Sequence, residues 1–188
     1  MEYYGDSAVL FEAFKAGELS MRRENNAEKW ETQYNFPAAQ SGEVIKSSIP
    51  HKRPTGMTGF VMNTRKAPFD DWRVRDAMIH AFNFEFINDT LTGGRQPRIT
   101  SYFSNSVLGL RAELAKGKVA KLLEPYKAQL RPEAIEGYTL PVSDGSARNR
   151  KNIRTAMKLL TDAGYSVQDG KMIGADGKQL SFEVLLRQ

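Results

Sequence analysis

Cysteine is absent from the chain. Its absence removes disulfide scaffolds, zinc ribbons, iron–sulfur sites, c-type haem attachment and thiol nucleophiles. His51 and His80 are the only two histidines, so a three-histidine metal site is impossible. No run of about 18 apolar residues occurs, so no segment reads as a membrane span. The first residues, Met1-Glu2-Tyr3-Tyr4-Gly5-Asp6, lack the basic and apolar regions of a secretory signal. Phosphate-cradling loops are missing as well. The Gly-Lys pairs are Gly117-Lys118, Gly170-Lys171 and Gly177-Lys178. None has glycine five positions earlier or Ser/Thr next, so no P-loop exists. The dinucleotide, zinc-protease, nucleophile-elbow and EF-hand patterns do not occur either.

What remains is an ordinary globular composition: 40% apolar and 26% charged residues, with 15 Gly and 8 Pro. At about 150 residues per domain the length predicts one domain, or one and a fraction, with a real core. The 27 basic and 22 acidic residues leave a net charge of +5. The densest basic run is Arg148, Arg150, Lys151, Arg154 and Lys158. A solvated helix face accounts for it. A basic nucleic-acid-binding or interaction module is the alternative function, though no known nucleic-acid motif supports it.

Several elements are legible locally. Asp6 or Ser7 caps a helix over 8–16, and Gly17 ends it. Residues 18–24 read as a strand or strand entry, and Asn25 to Trp30 as a helical turn or two. Pro37 and Gly42 read as breaks. Residues 43–58 read as a strand and an extended loop, and Thr58–Asn63 as a short buried strand. Asp71 is the natural cap of a helix whose stripe is Val74, Ala77, Met78, Ala81 and Phe82. The pattern restarts at Phe84 and stops at Gly93-Gly94. Lys118 to Leu130 is helix-like with a break at Pro125, and 131–148 is irregular. Asn149 to Ala163 is a second clear helix, with Ile153, Ala156, Met157 and Leu160 as its stripe. Asp169-Gly170 signals a type I′ hairpin. Leu180, Phe182, Val184 and Leu186 alternate as a half-buried last strand. A strand so close to Gln188 leads us to expect that the natural chain continues. Interleaved helices and strands give an α/β or α+β class.

Catalytic constellations are weak. Asp70-Asp71 sit where a helix start wants acids. His80 reads as a core-edge residue and His51 as exposed loop. The sequon Asn88-Asp89-Thr90 lies inside a helical pattern. A hydrolase using Glu24, Glu28 or Asp70 has no motif behind it, and no nucleophile, base and oxyanion set converges.

One stretch goes further. Residues 59–77 read Gly-Phe-Val-Met-Asn-Thr-Arg-Lys-Ala-Pro-Phe-Asp-Asp-Trp-Arg-Val-Arg-Asp-Ala. They resemble the signature of family 5 extracellular solute-binding proteins, the receptors of bacterial ABC importers: an apolar strand, Asn-Thr, a Pro-Phe turn, Asp, then Arg-Val-Arg-x-Ala opening a helix. Leu10 to Ser20 resembles the family's helix, Ala-Gly-Glu and strand unit. Asn149 to Tyr165 resembles its late helix ending Leu-Leu-x-x-Ala-Gly-Tyr. Arg22 to Trp30 and Ser101 to Ser106 are most similar to the oligopeptide and microcin-C-type subgroup.

The resemblance implies an α/β fold: one lobe of a two-lobed periplasmic-binding-protein type II fold, with a mixed sheet flanked by helices. Residues 1–188 would form a single ligand-binding lobe of a longer receptor, the later of the two. It implies no catalysis, no cofactor and no metal. An oligopeptide or peptide-like solute would bind in the cleft between lobes and pass to a membrane permease in the periplasm. Nucleic acid is not an expected partner, and self-association of an isolated lobe is. In peptide-binding relatives the acidic anchor for the ligand's amino group lies beyond Leu186. The candidate ligand-binding residues are Asn63, whose amide follows the 60–62 strand or else caps a turn, the loop aromatics Tyr102 and Phe103, which line a pocket or else anchor their loop, and Arg22. Arg73 and Arg75 match the motif and read as structural.

Overall fold

The computed structural model describes residues 3–186, and it divides into two compact units, Met1–His51 and Lys52–Gln188.

In the first unit, α1 spans Ser7–Lys15, α2 Ala27–Thr32 and α3 Pro37–Ser41. The Asp6 carboxylate starts α1 by accepting from the amides of Ala8 (2.7 Å) and Val9 (3.2 Å), which the turn itself cannot satisfy. Gly17 follows with φ +80°, where a side chain would be strained. The buried face of α1 presents Phe11 and Phe14 to Tyr34 and Phe36. Phe36 meets both phenylalanines edge-on, at 6.2 and 6.1 Å, the arrangement favoured by ring quadrupoles. The short α3 has Pro37 in its first turn and left-handed Gly42 at its end. The two residues read as breaks are therefore its start and stop, because a first-turn proline gives up an amide that no helix would use.

In the second unit, α4 spans Trp72–Ala81, α5 Phe84–Thr92, α6 Gly117–Leu123, α7 Glu133–Glu136 and α8 Arg150–Asp162. A 3₁₀ turn at Glu124–Tyr126 closes α6, at the break expected from Pro125. The core is the α4–α8 contact. Val74 and Ala77 are fully buried and meet Ala156 and Leu160, with Phe69, Met78, Tyr165, Met172 and Leu180 packed around them. Small side chains at the crossing let the helices approach closely. Gly93 ends α5 in the left-handed conformation, as its sequence indicates. Strands β1 (Ser166–Gln168) and β2 (Lys171–Ile173) form an antiparallel hairpin in the register Val167 opposite Met172. Asp169 and Gly170 turn it with φ of +49° and +75°, the positive pair a type I′ turn demands.

The other expected strands do not form. Residues 18–24, 43–58, 58–63 and 181–186 lie outside any sheet, and β1–β2 is the sheet of the described residues. Phe60 and Val61 are exposed rather than buried, and so are Phe182, Val184 and Leu185. A strand is held by its neighbours, and no described segment pairs with these. The last segment shows the onset of pairing. Gln179 bridges Ile173, and the Leu180 amide donates to Met172 O at 2.8 Å; beyond Leu180 the backbone runs alone.

Residues 141–149 are stitched to the helices by side chains. Asn152 Nδ2 donates to Val142 O (3.2 Å), Asn83 Nδ2 to Ser146 O (2.7 Å), and the Ser143 amide to Glu85 Oε2 (2.9 Å).

Candidate ligand-binding site

Asn63 follows the exposed segment 60–62 and is itself exposed. Its Oδ1 accepts from the Arg65 amide at 3.2 Å, and its carbonyl accepts from Lys66. This is a side-chain-closed turn of the kind asparagine favours. The Nδ2 group has no hydrogen-bond partner among the described residues. Residues 61–65 line an open depression of about 350 Å³. Asn63 thus does both things asparagine can do here: its oxygen shapes the turn and its amino group remains available.

Tyr102 and Phe103 stand exposed on a loop that its own serine hydroxyls hold together. The two aromatic side chains are 66% and 50% exposed. Beneath them, Ser104 Oγ accepts from Ser101 N (3.0 Å) and Thr100 N (3.2 Å) and lies 2.9 Å from Ser101 O. Ser106 Oγ donates to Phe103 O, and Ser101 Oγ accepts from the Leu110 amide. The loop is pinned to 53–55: Thr55 N donates to Ser104 O (3.0 Å) and Asn105 Nδ2 to Arg53 O (3.1 Å). Serine hydroxyls replace sheet or helix bonds, so aromatic side chains are displayed on a fixed base.

Arg22 belongs to the first unit and has a different setting. Its side chain is 10% exposed and its guanidinium lies 4.8 Å from the Phe11 ring centroid. One nitrogen pairs with Glu24 Oε2 at 3.2 Å and another donates to Ser7 O. Burial by itself pushes the Glu24 carboxyl up. Amides of Asn26 and Asn25, the Tyr34 hydroxyl and Arg22 outweigh it and hold the group below the ordinary carboxylate range. Arg22 Nε is buried with no partner.

Asn63, Tyr102 and Phe103 share the second unit, and no described contact joins the asparagine to the aromatics. Arg73 and Arg75 act as the sequence suggests. Arg73 chelates Asp71, with Nη2 to Oδ2 at 2.6 Å, and donates to Asp162 O. Arg75 donates to the carbonyls of Phe69 (2.7 Å) and Asp70 (3.0 Å). Of the three carboxylates weighed for hydrolysis, Glu24 and Glu28 lie in one unit and Asp70 in the other. Asp70 Oδ1 accepts from the Asp71 amide. Among the described residues no three metal-ligating side chains cluster, and no helix is long and apolar enough to cross a membrane.

Sequence reasoning passed over two arginines. Arg98 faces Glu85 at 3.9 Å, lies 5.3 Å from the Phe84 ring and donates to Pro141 O. Arg131 stacks on Trp72 at 4.2 Å and pairs with Asp76 and Glu133. Glu133 is a local partner of Arg131, but Glu85, Asp76 and Trp72 lie 13, 55 and 59 positions from the arginines they meet, so local spacing does not mark these contacts.

The 59–77 motif, with Arg73 and Arg75 fixing the start of α4, is the stretch that resembles bacterial extracellular solute-binding proteins. Residues 1–188 match the family described as "Bacterial extracellular solute-binding proteins, family 5 Middle", and the chain belongs to that family. It is 37% identical over 191 residues to "Peptidoglycan-binding protein YepA" of Agrobacterium fabrum, covering 97% of this chain and 31% of the relative. It is 38% identical to "Probable peptide-binding protein YejA" of the same organism, covering 98% of the chain and 30% of that protein. It is 35% identical to "Uncharacterized protein YejA" of Escherichia coli K12, covering 98% and 31%. The chain thus spans about a third of the length of these relatives.

Proposed function

We propose that residues 1–188 form a ligand-binding lobe, the later of two, of a periplasmic peptide receptor that delivers its cargo to the permease of an ABC importer. One observation carries this reading: the whole chain matches a solute-binding family, and relatives of about three times its length are named for binding peptides or peptidoglycan. The lobe has a type II periplasmic-binding-protein fold and no catalytic role. Each lobe supplies part of the contacts, and the ligand stabilises the closed form because it binds that form more tightly. Asn63 Nδ2 donates to a peptide carbonyl, while Tyr102 and Phe103 offer apolar faces to its side chains. Arg22 serves indirectly, by bracing the first unit through Glu24.

The exposed residues 57–61 and 181–186 fit a lobe that receives more chain in the full receptor. Alone, the 188 residues bind peptides weakly and self-associate. The basic face of α8 remains a solvated helix surface in this reading, with Lys158 paired to Asp162 at 2.5 Å.

Native mass spectrometry of the gene product from its own host tests the proposal. The expected species is well above 21.2 kDa and carries a peptide-sized adduct. A ligand-free species at the mass of this chain would overturn it and favour an interaction module.

A further inference from the structure

Carboxylates are missing from one part of the second unit. No Asp or Glu occurs between Glu43 and Asp70, nor between Asp89 and Glu113. From Lys52 onward these two stretches hold Lys52, Arg53, Arg65, Lys66, Arg95, Arg98 and Arg111. They are also joined in space, through Thr55 N to Ser104 O and Asn105 Nδ2 to Arg53 O. The two joined stretches therefore contribute basic side chains and no carboxylate of their own.

Arg98 is engaged by Glu85. Lys52 and Arg111 are exposed and have no ion-pair partner among the described residues. The same two segments carry exposed apolar side chains: Met57, Tyr102, Phe103 and Leu108. Apolar groups on a fixed base, with unpaired cations on the same two segments, suit a partner with both apolar area and negative charge.

We propose that the surface built from 52–57 and 101–111 recognises the carboxylates of an anionic peptide. The proposal rests on the peptide-binding reading and narrows its substrate class. Tyr102 and Phe103 supply contact area that tolerates different side chains. Lys52 and Arg111 supply the discrimination, because a cationic peptide meets like charge there and a neutral one gains nothing.

The test uses the natural protein that carries this segment, titrated calorimetrically with the tetrapeptides Ala-Glu-Glu-Ala, Ala-Gln-Gln-Ala and Ala-Lys-Lys-Ala. The glutamate peptide binds about tenfold or more tightly than the glutamine one, and the lysine peptide binds weakest. The preference shrinks as ionic strength rises from about 0.02 to about 0.2 M. It disappears in the Lys52→Gln/Arg111→Gln variant and survives in Lys118→Gln/Lys121→Gln, which alters exposed cations of α6. Equal affinity for the glutamate and glutamine peptides would overturn the charge preference and leave the receptor reading intact. A preference unchanged by Lys52→Gln/Arg111→Gln would overturn its location. Binding to phosphatidylglycerol vesicles with no peptide binding would assign the surface to a membrane and overturn the proposal. Failure of all three peptides without vesicle binding would overturn the peptide reading as well.

Discussion

The side chain of Asn149 donates from Nδ2 to the carbonyl oxygen of His80 at 3.1 Å, across 69 positions of sequence. The bond ties the start of α8 to the end of α4. The Phe84 amide, which would continue the helix by bonding His80 O, goes instead to Phe82 O at 3.0 Å. Asn149 therefore supplies a donor where the helix has run out of them.

Asn149 is 3% exposed and has φ +43°. Asn149→Ala loses the bond and also suffers in the left-handed backbone, and we expect a loss of about 2–3 kcal/mol. Asn149→Gly keeps the backbone comfortable and loses about 1–2 kcal/mol. Urea midpoints of the two variants separate the contributions; equal midpoints would show that the backbone matters little.

Val74 has no exposed surface and faces Ala156 and Leu160. Val74→Ala removes two buried carbons and leaves a void, for an expected loss of about 2 kcal/mol. Ala77→Leu overfills the same contact and costs about 1–3 kcal/mol. Thermal denaturation followed by circular dichroism reads both.

Asp71 is held below the ordinary carboxylate range, chiefly by hydrogen bonds from the Arg73 side chain, with the Arg73 amide and both arginine charges adding to it against burial. A depressed folded-state value means that the unfolded chain takes up the proton first as pH falls. The stabilisation is complete above the ordinary carboxylate value and is lost as pH drops through the folded one. Asp71→Asn keeps a cap for α4 but has no proton to take up. Its stability is lower at neutral pH and falls less steeply on acidification, as measured by urea midpoints across the acid range.

Tyr102→Ala and Phe103→Ala change stability by less than about 0.5 kcal/mol, since both rings are at least half exposed. Ser104→Ala behaves differently. It leaves the amides of Thr100 and Ser101 without their acceptor and loosens the loop. Amide hydrogen exchange at residues 100–106 speeds up in Ser104→Ala and stays unchanged in Tyr102→Ala. The aromatic variants weaken peptide binding in the natural protein without that change.

Helices were readable because their signals are local. Asp6, Asp71, Gly93 and the Asp169-Gly170 turn each act within four residues of the backbone they shape. The same locality misled at Pro37 and Gly42, where start and stop lie so close together that they resemble a loop. The β1–β2 hairpin was readable from its local Asp169-Gly170 turn, but strands that need a distant partner were not. Alternation at 180–186 reports what a strand would bury if it had a neighbour, and the neighbour is not encoded in that alternation. The candidate site shows the same division. Asn63 was visible as a turn residue and Tyr102 as an aromatic that no helix required. The bracing by Ser101, Ser104 and Ser106, and the burial of Arg22 against Phe11, depend on contacts that spacing does not reveal.

Residues 181–186 have a consequence for handling the 188-residue chain. A protease active site takes its substrate as an extended backbone with free amides and carbonyls, and this segment already has that form. Leu185, 99% exposed, offers a large apolar side chain to a chymotrypsin-like or thermolysin-like specificity pocket. Cleavage there need not wait for unfolding, whereas the peptide bonds of α4 and α8 are cut only when the core opens. A brief digest would trim the chain back towards Leu180, where the bond to Met172 begins to protect it.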